Sequence, residues 1–304
     1  MSRRGVVRAI NCAADAIISD NPTILPPCPC SGGSESVLQI RSEQVEALRQ
    51  AARGRFAESM CEHVRAYFPN HCRMAGEAAV RATVDHGIDR AAHYGMDTER
   101  DVCLYITTMC MLGSHFDTDP MFPWAAYILN DVDDPDPRSR ADRLADRALE
   151  FQKRIAGTDN RAMNRTFLAL RRDFPQIVAE PRGGDLDAHL RVLLPRVFAR
   201  KADEVGDAGL EELIALGRRN ASDYGLPGGG SQVLYVLLSF LMGSHFDRDP
   251  MVPWAARVLR DESVSPADKA EQLIADSEAY LKRWLDTATA DRRSNAGGAS
   301  VAST

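Results

Sequence analysis

The sequence predicts an all-α protein made of two tandem, structurally similar helical units packed as a pseudo-twofold pair. Three observations carry this. Between residues 42 and 286 apolar residues recur at three- and four-residue steps, the period of one helix face. No segment alternates apolar and polar residues over the length of a strand. The string GSHFDTDPMFPWA (113–125) returns as GSHFDRDPMVPWA (243–255), differing only at Thr118 against Arg248 and Phe122 against Val252.

Taken in order, the first element is EQVEALRQAARGRFAESMCEHVRAYF, with Ser42 as its N-cap. Val45, Leu48, Ala52, Phe56, Met60, Val64 and Phe68 form its apolar stripe, and Pro69 stops it. A second helix, about 77–93, carries Val80, Val84 and Ile88. Asp97 is the expected cap of a third, ERDVCLYITTMCML, closed by Gly113 as a C′ glycine in the left-handed region. Asp119-Pro120 reads as N-cap plus N1 proline, so a short helix is expected over PMFPWAAYILND. A fifth helix, about 139–155, follows the acidic turn DVDDPDP.

The second half replays this order. Tyr94–Asp131 aligns with Tyr224–Asp261 without a gap, with 18 identities over 38 positions, and the register extends back to Gly87 and Gly217. Earlier still, 42–80 against 172–210 is similar only in helical character. The expected division is a disordered leader at 1–38, units at 39–157 and 158–286, and a disordered, low-complexity tail at 287–304. The units should superpose over about 75–155 and 205–285 and hold at least ten helices.

Composition narrows the function. A chain of 304 residues, 44% hydrophobic and 26% charged, buries a full core without staples. Net charge is −6 with arginines scattered among acids, which argues against a nucleic-acid partner. The most apolar run, VLYVLLSFLMG (233–243), falls short of the ~20 residues of a membrane span. Asn11 and Asp15 interrupt the apolar patch near the N-terminus, against a secretory signal. All seven cysteines, Cys12, Cys28, Cys30, Cys61, Cys72, Cys103 and Cys110, precede residue 111. That one-sided, odd set fits free thiols in a reducing cytoplasm, and C-x-C at Cys28 and Cys30 lacks the paired knuckles of a zinc site.

Two readings of the repeated string compete. His115, Asp117 and Asp119, mirrored by His245, Asp247 and Asp249, offer an imidazole and two carboxylates that could hold a water-activating metal. H-x-D-x-D is a weak spacing, however, and His86 and His93 have no histidine counterparts at Leu216 and Asp223. The structural reading assigns more residues. Gly113 and Gly243 close helices. Asp119 and Asp249 cap the next ones, with Pro120 and Pro250 at N1. Phe116, Phe246, Trp124 and Trp254 wedge the corner, both tryptophans largely buried. Asp117 and Asp247 accept backbone N–H groups within the turn. The structural corner is preferred, and no metal or other cofactor is expected. GLPGGGSQ (225–232) reads as a flexible turn rather than a phosphate cradle, because no strand precedes it.

With YG-x3-ERDV and G-x-x-FD-x-DP-x-x-PWA in place, the sequence resembles a poorly characterised all-helical family of Gram-negative bacteria encoded beside type VI secretion components, near effector and spike-tip (PAAR-type) genes. The resemblance covers mainly 42–155 and, through the repeat, 224–284. It implies a helical fold and a protein partner, either a secreted effector or its spike-tip carrier, and supplies no catalytic residues. The expected function is therefore a chaperone or adaptor for such an effector. The alternatives are an immunity protein neutralising a toxin and, further off, a metal enzyme at the His/Asp corner.

Overall fold

The computed structural model describes residues 42–131, 139–157, 160–179 and 184–300, with side chains to 286. The leader with Cys12, Cys28 and Cys30, and nearly all of the acidic turn, lie outside these residues. The described chain is all-α, with twelve α-helices and one short 3-10 turn.

The first half comprises α1 (Ser42–Tyr67), α2 (Pro69–Ala75), α3 (Glu77–His93), α4 (Glu99–Leu112), α5 (Pro123–Asn130) and α6 (Arg140–Ala156). The second comprises α7 (Arg161–Ile177), α8 (Leu186–Val197), α9 (Ala199–Asp223), α10 (Gly230–Met242), α11 (Pro253–Leu259) and α12 (Pro266–Ser300). Local chemistry sets several starts. Thr98, not Asp97, caps α4 by accepting the Asp101 N–H at 3.1 Å. Ser139 and Asp185 do the same for α6 and α8. The backbone of α12 continues as helix to Ser300, past Asp286, where a low-complexity tail was expected; Ala288, Ala290 and Ala296 favour helix irrespective of sequence complexity.

The central helices α4 and α10 are buried nearly all round, as helices at the heart of a layered bundle must be. On α4 lie α3 and α6, with α1 outside α3. On α10 lie α9 and α12, with α8 outside α9. The halves meet reciprocally: α6 rests on α9, where Arg200 donates to the Arg154 carbonyl at 3.1 Å, while α12 rests on α2, where Trp284 meets His71 edge-on at 4.6 Å. These are matched pairs under a 130-residue offset.

The backbone match reaches further back than the sequence identity. Gly76 between α2 and α3 has φ 87°, and Gly206 within α9 has φ 75°, so α2 and α3 correspond to a single helix with a kink. Phe68 and Phe198 precede these segments in like conformation, and buried Met60 and Val64 occupy the positions equivalent to buried Leu190 and Leu194. A helix face needs only apolar character, so the backbones can match where the residues differ.

Candidate functional site

The two copies of the repeated string meet at the centre of the molecule, and each completes the other. Asp119 takes the Met121 N–H on Oδ1 at 2.9 Å, and its Oδ2 accepts the backbone N–H of Ser244 in the other half at 2.7 Å. Asp249 answers in kind. It takes Met251 N–H at 2.8 Å, Ser114 N–H at 2.9 Å and the Ser114 hydroxyl at 2.6 Å. Contacts in which i meets j and j meets i are those of a twofold interface. The expected helix caps are corrected here. The carboxylates do bind backbone N–H groups, but Asp119-Pro120-Met121-Phe122 is a tight turn whose Phe122 N–H returns to the Asp119 carbonyl, and Pro120 and Pro250 sit in these turns rather than at N1. The helices start at Pro123 and Pro253. Burial pushes both aspartates above the usual carboxylate range, and the hydrogen bonds oppose it.

Gly113 and Gly243 end α4 and α10 with φ of 107° and 115°. Their ψ values, 152° and 147°, are extended, so the chain turns across to the other half instead of closing a left-handed cap. A Cβ on Gly113 would stand 2.9 Å from the Met242 carbonyl oxygen. His115 and His245 stack across the seam with centroids 5.5 Å apart, and His86 lies 5.0 Å from His115. Burial, with His86 and His245 nearby, holds His115 down to about 4.

Asp117 and Asp247 differ from expectation. Their partners are side chains. Asp117 Oδ2 accepts from both Arg90 Nη2 and Nε, from Tyr94 at 3.1 Å and from Tyr105 at 3.0 Å. Asp247 Oδ2 accepts from Tyr224 at 2.6 Å and lies 3.5 Å from Arg248. The tyrosines were legible, since Tyr94/Tyr224 and Tyr105/Tyr235 belong to the repeat, as do Ser114 and Ser244. Arg90 was not, because its counterpart is Asn220. Phe116 and Phe246 are fully buried as wedges. Trp254 is 7% exposed, and Trp124, partly exposed under Arg147 at 5.4 Å, packs against the core.

The seam between the corners encloses no free volume. Among the described residues no group of three or more His, Cys, Asp or Glu is placed to hold a metal ion. In the glycine run, a Cβ on Gly230 at the start of α10 would collide with the Val178 carbonyl oxygen, so the close approach of that segment requires glycine. The described cysteines, Cys61, Cys72, Cys103 and Cys110, are free and buried. No described helix is long and apolar enough to cross a membrane.

Behind the clasp lies a cavity of about 420 Å³ walled by both halves. Leu112, Phe122 and Phe151 come from one side, and Leu234, Leu238 and Trp254 from the other. Tyr67, His71, Met163, Phe167 and Trp284, all partly exposed, line it as well. Lys201, in the position equivalent to His71, also lines it and is 6% exposed. No sequence signal marked Lys201, which reads as one more charge on an amphipathic helix. No family model, curated protein or solved structure matches the chain.

Proposed function

We propose that this chain is a non-catalytic binding protein, an adaptor or loading chaperone for an effector of a type VI secretion system. The observation that supports it most is the reciprocal clasp. All four motif aspartates are engaged by groups of the fold itself, so the repeated string fixes two halves as one body and leaves recognition to other surfaces. The secretion context rests on the resemblance carried by YG-x3-ERDV and the PWA segments. A partner offering a basic or mixed surface suits a chain of net charge −6.

The test is deletion of the gene in its native strain with the neighbouring effector intact. The adaptor reading expects the effector to be made but not exported, and the two proteins to co-purify in a salt-sensitive complex. Normal export after deletion overturns it. Death of the producing strain would assign the immunity role instead.

A further inference from the structure

We propose that the cavity between the halves binds a small amphiphile with an apolar tail and a carboxylate head, of the fatty-acid class. This goes beyond the adaptor reading and is independent of any protein partner.

The cavity's 420 Å³ falls within the ~300–1,000 Å³ of small-molecule sites, and its walls are chiefly leucine, methionine and aromatic side chains. Such a space suits an apolar body. The polar groups on its wall are unevenly matched. Lys201 carries three N–H donors on Nζ; it makes one long contact, 3.4 Å, to the Leu241 carbonyl and lies 5.4 Å from the centroid of the Phe240 ring. The carboxylate influencing it is Asp119, whose oxygens already serve Met121 and Ser244. Trp254 Nε1 is a second buried donor on the same wall and has no partner among the described residues. Both side chains are more than nine-tenths buried. Asp249, also on the lining, already accepts from Ser114 and Met251.

An apolar cavity with a buried ammonium on its lining, hydrogen-bonded only by one long contact, suits a ligand that brings an apolar body and an anionic acceptor. Burial draws Lys201 down to about 8, so the amine is still charged at neutral pH and would be held so by a carboxylate beside it. Tyr67, Met163, Phe167 and Trp284 extend the lining with further aromatic and apolar surface for the tail.

The experiment titrates the full chain, stripped on a hydrophobic resin, with a dansyl-labelled undecanoic acid. The probe is then displaced with dodecanoic acid, its methyl ester or dodecylamine. The expected result is displacement by the acid at least tenfold tighter than by ester or amine. Lys201→Met should lose that preference while leaving ester binding unchanged, and Leu238→Trp, which fills the cavity, should abolish probe binding. Equal affinity for acid and ester, no probe binding, or binding indifferent to Leu238→Trp overturns the proposal. If Lys201→Met does not fold, as judged by circular dichroism, the head-group comparison on the parent protein decides alone.

Discussion

Asp119 and Ser244, 125 residues apart in the chain, are joined by a buried 2.7 Å hydrogen bond from the Ser244 backbone N–H to the carboxylate. Its mirror runs from Ser114 to Asp249. The two bonds tie the end of each central helix to the opposite corner, so the halves cannot separate without stranding four charged or polar groups.

Asp119→Ala should therefore cost more than a lost helix cap. It leaves the Ser244 and Met121 N–H groups buried without acceptors, at ~1–3 kcal/mol each, or about 2–6 kcal/mol together. His115→Ala, which removes no recorded hydrogen bond, should cost less. Denaturant unfolding measures both. Asp119→Ala with Asp249→Ala should fall short of the sum of the single losses, because once one bond is broken the seam is already loosened. Strict additivity would show that the bonds act independently.

Gly113→Ala tests the close approach of the two helix ends. The new Cβ meets the Met242 carbonyl at 2.9 Å and the residue is held at φ 107°, so strain and clash add. At Gly76, also at positive φ, a Cβ meets nothing within 4 Å. Gly76→Ala should lose only the backbone strain of ~1–3 kcal/mol, and Gly113→Ala clearly more. Equal melting temperatures would mean that the seam yields freely.

The helices and their order were readable because burial imposes a period of 3.6 on the apolar residues, and α3, predicted at 77–93, has those bounds. The corner's chemistry was only half readable. Asp119 was rightly paired with backbone N–H groups, yet its decisive partner lies in the other half, and nothing in a linear string says that two copies will face each other. Asp117 was misassigned because its partners, Arg90, Tyr94 and Tyr105, converge from two preceding helices. The cavity was invisible for the same reason: Lys201 gains meaning only from the walls around it.

The tryptophans separate core from cover. Trp254 stacks near Tyr280 at 5.7 Å and is buried, so Trp254→Ala should cost ~3–5 kcal/mol. Trp124 is half-buried beneath Arg147, and its truncation should cost distinctly less. A Trp124→Ala variant as unstable as Trp254→Ala would contradict this.

Acid should destabilise the fold before its carboxylates are neutralised. Burial lowers His63, His71 and His115 each to about 4, whereas the unfolded chain binds those protons near 6.5. A depressed folded value means stability fully present above 6.5 and lost as pH falls toward 4, because the unfolded state then holds more protons. Asp119 and Asp249 act with the opposite sign. Their raised folded values make the folded state take up protons first, so they return stability as pH drops through those values toward the unfolded 3.8. The denaturation midpoint should thus decline from pH 7 to pH 5, where the histidine contribution dominates, and decline less steeply near pH 4. His115→Gln should flatten the first part of that curve, since the side chain stays neutral in both states. A midpoint constant between pH 7 and pH 5, or a slope unchanged in His115→Gln, would show that His115 takes up its proton as readily folded as unfolded.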